Sequence, residues 1–416
     1  MSTGPPKEHD ELTLAVPPVG SETAKWLPQQ TGLFSPAEMR RQTGPYGSVV
    51  PATISDWRPR LSPTLASDAE DATRALADFD TYTLRVLGTD DPALGPMSAV
   101  LLRTESASSS QIENLTTSAK QLALAEIDEG EKANAREVIG NVRAMEAAIA
   151  LADHIDERTI LAMHRELLLH QPGFEAFAGH FREQLVWIGR DNAGPRDAQF
   201  VAPQHTRVRR SVQDMIDFTN RDDLPLIVQV AVAHAQFETI HPFVDGNGRT
   251  GRALAQATLR NKGLVSHTTV PLSAGLLADT ESYFAALEAY RTGEAAPIVR
   301  RIADAARFAA VTGRQLVDAL ARQLDESEEQ LAGVRRQAAA WKVLPMLIAQ
   351  PVINVAFLKS HLGMNEMTAA RALDQLAARG VLHERTGRRR KRVWHHAGIL
   401  GELDAYAADV RRGGRR

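Results

Sequence analysis

His241-Pro242-Phe243-Val244-Asp245-Gly246-Asn247-Gly248-Arg249-Thr250-Gly251-Arg252 is the stretch on which the reading of this chain turns. The two glycines flanking Asn247 reach backbone angles closed to other residues, so successive N–H groups can converge on an anion. A helical pattern follows, and the unsatisfied N–H groups and dipole of a helix start add to the attraction for phosphate. Arg249 and Arg252, three apart, share a helix face from which both reach an oligophosphate. Asp245 beside so positive a site asks for a balancing cation, and Mg²⁺ bridging phosphate oxygens suits its hard carboxylate. His241 can serve as a base while it is unprotonated. No second histidine or acid stands at zinc-motif spacing. A Gly-Asn-Gly turn between helices is ordinary by itself; joined to the histidine, the aspartate and two spaced arginines it is not.

Working outward, Leu226 to Ile240 is a strongly apolar helix with Pro225 at its first turn, and the helix after the loop runs to about Lys262. Upstream, Phe181 to Ile188 alternates loosely, Gly189 to Gly194 is rich in turn residues, and Phe200-Val201-Ala202 precedes Pro203. This predicts a β-hairpin with a long tip over roughly 184–202. Helical spacing also covers 67–87 (Ala72, Leu76 and Phe79), 97–116, 118–151, the stretch RTILAMHRELLLH behind a cap at Asp156 or Glu157, 279–291 and 297–337. Residues 1 to about 62 are rich in Pro, Gly, Ser and Thr and read as an extended or partly disordered arm.

The length of 416 residues allows two or three cores, and 44% apolar with 24% charged residues fits a largely folded chain. The absence of cysteine excludes disulfides, a thiolate nucleophile and cysteine-ligated metal. No signal peptide opens the sequence and no apolar run approaches the ~20 residues that cross a bilayer, so a cytoplasmic protein without membrane contact is expected. A net charge of -3 gives no global case for nucleic acid. From Arg379 onward, however, eleven basic residues face four acidic ones, which marks a local surface.

The loop from His241 to Arg252 resembles the signature of the Fic family, HxFx(D/E)GNGRxxR, without a gap, and Phe237-Glu-Thr-Ile-His241 resembles the usual approach to it. The likeness extends over roughly 65–305. It implies a mainly α fold, a Fic-type helical bundle with a β-hairpin flap. It also implies transfer of AMP from ATP, with Mg²⁺, to a Tyr, Thr or Ser hydroxyl of a target protein or of the enzyme itself. Carried over by position, His241 is the general base, Phe243 anchors the loop, and Asp245 holds Mg²⁺. Gly246, Asn247 and Gly248 cradle phosphate, Asn247 through its side chain, while Arg249 and Arg252 grip the outer phosphates. Val186, Trp187, Ile188, Phe200 and Val201 form the flap, to whose edge an extended target segment can add as a strand. The adenine pocket is placed only loosely, after Arg252 and near Tyr283.

Ser109 to Asn114 resembles the family's inhibitory motif (S/T)xxxE(G/N), and its position ahead of the core matches the commonest arrangement. On a helix, Ser109 and Glu113 lie one turn apart. The resemblance implies that Glu113 pairs with Arg252, takes the space of the γ-phosphate and turns ATP into an unproductive pose. In some relatives the matching glutamate activates water and removes AMP, so a deAMPylase or a bifunctional enzyme stands as the alternative.

Residues 345–395 suggest a winged helix: a short helix from Ile353 to His361, a turn at Gly363, a recognition helix from Asn365 to Arg379, and two strands around the basic tip Thr386 to Lys391. Similar modules are appended to Fic proteins of this arrangement. Duplex DNA, a protein partner and a homodimer contact all suit such a unit, and a nucleotide-sensing DNA-binding regulator is the reading of a different class. The expected organisation is an arm (1–64), a helical region with the inhibitory helix (65–150), the catalytic core (151–305), a connecting helix (306–339), the winged-helix unit (340–405) and a basic tail (406–416).

Overall fold

The computed structural model describes residues 13–28, 34–87, 92–130, 132–189, 193–385 and 392–413. The basic tip 386–391 and the end of the tail, 414–416, lie outside them, as does most of the tip of the 184–202 hairpin, residues 190–192.

The chain is mainly helical, with small antiparallel sheets. Its helices are α1 (Pro36–Gln42), α2 (Pro63–Leu87), α3 (Leu94–Ile112), α4 (Ala119–Glu126), α5 (Ala133–Ala150), α6 (Glu157–Leu168), α7 (His205–Thr219), α8 (Leu226–Ile240) and α9 (Asn247–Asn261). Then follow α10 (Leu272–Ala278), α11 (Thr280–Arg291), α12 (Ala296–Gln330), α13 (Ala339–Val343), α14 (Met346–Ala349), α15 (Val355–Leu362), α16 (Glu366–Ala378) and α17 (Ala397–Gly413). The strands are β1 (Gly20–Trp26), β2 (Gly44–Val50), β3 (Trp187–Ile188), β4 (Phe200–Val201), β5 (Val352–Asn354), β6 (His383–Glu384) and β7 (Val393–His395). No helix among the described residues is long and apolar enough to cross a membrane.

Two compact units divide the chain. The first takes Met1–Asp71, Ala147–Lys262 and Glu281–Ala303. Its centre is α8, whose residues from Ile227 to Ile240 are all buried, as an apolar helix without a polar face requires. α7 is amphipathic and turns Val208, Val212, Met215 and Ile216 inward against it, and α6 and α9 complete the wall. α9 carries two functions on one helix: Ala253, Leu254 and Ala257 pack the core, while its first two turns bear the arginines.

The arm departs from the sequence expectation. Within it β1 and β2 pair antiparallel from Gly20↔Val50 to Trp26↔Gly44, and Ser35 with Glu38 forms a capping box on α1. The physical reason is aromatic. Trp26 packs edge-on against Tyr46 and Trp187, with ring centroids 6.3 and 5.3 Å away, and its indole N–H donates to Ala193 O at 3.0 Å. A second tie comes from the far end of the 184–202 hairpin: Arg196 donates to the carbonyls of Arg41 and Thr43, and its own backbone exchanges hydrogen bonds with the Gln42 side chain.

The second unit takes Ala72–Glu146, Gly263–Thr280 and Asp304–Arg416. Two buried carboxylates organise its interior. Asp80 accepts from the backbone N–H of Ser266, His267 and Thr268, and Glu105 on α3 accepts from Ser273 N and Oγ, each at 2.7 Å, at the start of α10. The helix expected over 118–151 is broken into α4 and α5. Asp128 takes φ 57°, outside the helical range, and the chain folds back so that the N–H groups of Ile127, Asp128 and Glu129 return to Leu124 and Ala125 carbonyls.

At its C-terminal end this unit holds a three-stranded sheet in the order β5-β7-β6 with α15 and α16 beside it. Asn354 and Asn365 cap α15 and α16 through their side chains, and Gly363 ends α15 at φ 61°. β5 was not anticipated from the sequence, where Ile353 is read as the start of the helix.

Candidate active site

α8 ends abruptly. His241 is its C-cap at φ 49°, ψ 61°, in the left-handed region. Among the described residues three other non-glycines take positive φ, namely Asn114, Asp128 and Asp197, and all are types that tolerate it. A histidine held there costs on the order of 1–2 kcal/mol and needs surroundings that enforce it.

Those surroundings are in the loop and beneath it. Asn247 Oδ1 accepts from Phe243 N at 2.9 Å, and its Nδ2 donates to Phe243 O at 3.0 Å. The Phe243 ring is fully buried beside Phe237 and Phe181. Arg182, also buried, donates to the carbonyls of His241 (2.8 Å), Gln184 (2.8 Å) and Pro203 (2.7 Å), and its backbone N–H reaches Pro242 O. Burial lowers its guanidinium to about 10. One side chain therefore joins the active loop to both ends of the 184–202 hairpin.

His164 on α6 adds a third support. Its Nδ1 accepts the Gly179 N–H at 3.1 Å, so Nε2 carries the proton and donates to Asp245 O at 3.1 Å. Burial pushes it down to about 4, which keeps it neutral in this role.

The His241 imidazole is 18% exposed. Its Nδ1 faces Glu238, 3.4 Å from the carbonyl and 4.0 Å from a carboxylate oxygen, so the proton belongs on Nδ1 and the lone pair on Nε2. The ring meets the edge of Phe200 on β4 at 6.0 Å, and Phe200 carries the Arg291 guanidinium on its other side, 3.9 Å from the ring centroid. β3 and β4 pair with Trp187↔Val201 and Ile188↔Phe200, extended by Ala202 N to Val186 O. Ile188 is exposed, whereas Phe200 and Val201 are buried. The paired strands are shorter than the sequence implies, two residues each.

α9 starts at Asn247 with Gly246 as its N-cap at φ 76°. A side chain here would be strained and would press on Leu167, its Cβ 2.7 Å from Leu167 Cδ2. Glycine as the cap brings no capping side chain over this helix start, where N–H groups and the helix dipole attract an anion. Arg249 and Arg252 lie on the first two turns of α9 and are each 3% exposed. Asp245 Oδ2 accepts from Gln171 Nε2 at 2.6 Å and lies 3.4 Å from Arg249 Nη2, while Gln171 Oε1 accepts from the same Nη2 at 3.1 Å. Below Arg252, His234 is fully buried and bonds Tyr283 Oη at 2.8 Å; burial first, and Arg252 second, lower it to about 3.

His241, Asp245, Gly246, Asn247, Gly248, Arg249 and Arg252 thus belong to one loop and one helix start, with Phe200 and Val201 of the hairpin alongside. Two of these side chains have internal partners. The Asn247 amide bonds Phe243 through both its oxygen and its nitrogen, which shapes the loop. Tyr283 is 1% exposed and bonds His234. Ser109 and Glu113 lie in the second unit: Ser109 is buried on the last turns of α3, and exposed Glu113 is its C-cap, followed by Asn114 at φ 63°. Arg182, His164 and Gln171 escaped the sequence reading, because each acts through partners 59 to 81 positions away.

Residues 154–259 match the Fic/DOC family, and residues 66–150 match the Fic/DOC family N-terminal region. Over those two stretches the chain is similar to the Fic/DOC family. Protein adenylyltransferase fic-1 of Caenorhabditis elegans is 31% identical over 154 residues, 36% of this chain and 27% of the relative. Protein adenylyltransferase Fic of Drosophila persimilis is 28% identical over 210 residues, 48% of this chain and 38% of the relative. The match thus spans about a third of the length of these curated relatives. Among solved structures, a Fic family protein from Desulfovibrio desulfuricans G20 aligns with 78% of this chain and 96% of its own, at 23% identity and a TM-score of 0.44. A Fic domain containing signaling protein from Bacteroides thetaiotaomicron aligns with 59% and 97%, at 15% identity and a TM-score of 0.47.

Proposed function

We propose that this Fic/DOC protein transfers AMP from ATP to a Tyr, Thr or Ser hydroxyl of a protein and that Glu113 restrains it. The observation that carries the reading is the left-handed His241, held beside strand β4 and one short loop from the glycine-capped N-terminus of α9, which bears Arg249 and Arg252. Similarity to proteins named as adenylyltransferases supports the same reaction class.

In this reading the polyphosphate lies on the first N–H groups of α9, with Arg249 and Arg252 on its outer oxygens. His241 Nε2 takes the hydroxyl proton as the hydroxyl oxygen attacks the α-phosphorus and pyrophosphate departs. General-base help contributes roughly 10²–10⁴ and stabilisation of the developing charge the larger share. Asp245 fits a hard cation: Oδ2 takes the Gln171 and Arg249 contacts, and Oδ1 takes none among the described residues. Among those residues no cluster of three metal-ligating side chains occurs, so Mg²⁺ held by Asp245 would draw its remaining ligands from phosphate and water. When bound, it supplies charge neutralisation on the phosphates. The target strand adds to the hairpin of β3 and β4, and the protein itself is one candidate target.

Glu113 is proposed to pair with Arg252 and displace the γ-phosphate. If it activates water instead, the protein removes AMP. For the C-terminal segment, a winged helix that docks protein or a second copy is favoured over one that binds DNA. Arg392, a cation among the described residues of this segment, is neutralised by Asp374 at 2.8 Å and Glu384 at 2.6 Å, while Met367 at the start of α16 is 63% exposed.

Incubation with ATP labelled on the α-phosphate tests the restraint. Glu113→Gly is expected to acquire label faster than the wild-type chain, and an equal or slower rate contradicts autoinhibition.

A further inference from the structure

The second unit contains a mostly apolar cavity of about 80 Å³ that none of the site described above uses. One whole face of α3 lines it, through Val100, Arg103, Thr104, Ala107, Ser108 and Gln111. That spacing of three and four residues is one stripe of a helix. The opposite walls come from Leu122 and Ala123 of α4, Leu277 of α10, and Tyr406, Ala407 and Val410 of α17.

Three features mark it as a ligand site and not a packing fault. Its polar side chains are asymmetric in charge: Arg103 and Arg411 line it and no carboxylate does. Arg103 is anchored from behind by Glu126 at 2.5 Å, whereas Arg411 is exposed at the mouth. One hydroxyl at the wall, Thr117 Oγ1, is buried with no hydrogen-bond partner among the described residues. Such a group is stabilised by a partner brought in from outside, since a buried unmet hydroxyl costs on the order of 1–3 kcal/mol. Finally, the space is about half of a ~150 Å³ cavity known to hold benzene, so it takes a slim aliphatic body of a few carbons.

We propose that this cavity is a regulatory site for a short-chain aliphatic acid, with the chain between α3, α4 and α17 and the carboxylate at Arg411. The regulatory part rests on the reading of Glu113 given above. α3 ends one residue before Glu113, and Gln111 of the cavity wall is two residues from it. A ligand packed along α3 stiffens its last turn and so strengthens the restraint.

Butanoate and the neutral butanol serve as probes on the full chain, with binding followed by calorimetry or NMR. Saturable butanoate binding is expected, weakened about two- to fivefold in Arg411→Ala, as for loss of one exposed charge contact. Loss in Ala407→Leu, which fills the cavity from a partly exposed wall position, is expected as well, with circular dichroism confirming that the variant is folded. A milder Ala407→Val variant replaces it if the leucine unfolds the chain. No butanoate binding, or binding indifferent to the Ala407 variants, overturns the site. Butanol binding as tightly as butanoate overturns the assignment to an acid. Butanoate should also slow α-labelling by ATP in the wild type and not in Glu113→Gly; binding without that difference overturns the regulatory role. Should no variant of the chain take label at all, the transfer reading fails by itself. The binding results then still decide the site, and the effect of butanoate on ATP affinity in wild type against Glu113→Gly decides the regulation.

Discussion

His164 lies flat on Phe243, ring centroids 3.6 Å apart and planes within 5° of parallel, and through that contact α6 holds the floor of the active loop. The same imidazole spans Gly179 N–H and Asp245 C=O. Replacing it by alanine removes a stacking contact and leaves both backbone groups unmet. His164→Ala should therefore cost about 2–4 kcal/mol in the stability of its unit. Chemical denaturation checks this; a loss under 1 kcal/mol would show that the loop stands without its floor.

Gln171 is the side chain that sets the distance between Asp245 and Arg249, bonding one through Nε2 and the other through Oε1. Gln171→Leu preserves bulk but removes both bonds. Partners behind a ligating group typically contribute 10–100-fold, so ATP affinity should fall at least about tenfold while the melting temperature moves little. Unchanged affinity by calorimetry would mean that Asp245 and Arg249 orient each other unaided.

Arg182 is expected to resist even conservative replacement. Lysine lacks the fork that reaches the carbonyls of His241, Gln184 and Pro203 together. Arg182→Lys should lose transfer activity by tenfold or more, and Arg182→Ala should in addition destabilise the unit by about 3–5 kcal/mol, because three buried carbonyls lose their donor. Melting curves and labelling rates measured on both variants separate the two effects.

Acid should weaken the first unit before any carboxylate protonates. His234 sits near 3 in the fold against about 6.5 when unfolded, because burial and Arg252 disfavour its cation. The unfolded chain therefore binds the extra proton between those values. The contribution of the neutral ring is intact above pH 6.5 and is lost as pH falls toward 3, by roughly 1.4 kcal/mol per pH unit. His234→Gln, which keeps a partner for Tyr283, should flatten that decline in melting temperature between pH 6.5 and 4.5. An identical slope in the variant would place the acid sensitivity elsewhere in this unit, for example at His164, which burial also lowers to about 4.

The loop from His241 to Arg252 was legible in sequence because its chemistry is local: glycines, a cap and spaced arginines act within one turn of each other. α8 was legible for a related reason, since a helix apolar all round has nowhere to go but the centre. The hairpin showed only weakly, as two-residue strands whose partner surface, Trp26 and Tyr46, lies in an arm with the composition of a loop. Trp26 in so polar a stretch was the available hint that the arm is packed. Nothing near Arg182, His164 or Gln171 in the sequence announces their roles, because a carbonyl 60 residues away has no sequence signature. The break between α4 and α5 carried a local signal, Asp128 followed by Gly130, which the helix-favouring residues on either side outweighed in the sequence reading.

The account comes down to one claim, that the His241 imidazole carries AMP transfer. Intact-mass spectrometry after incubation with ATP and Mg²⁺ tests it most directly, comparing Glu113→Gly with the double variant Glu113→Gly/His241→Ala, each supplied with a hydroxyl-bearing partner or with itself as acceptor. The account predicts a covalent AMP adduct in the first and none in the second while both still bind ATP. An adduct of equal yield in the double variant would contradict it.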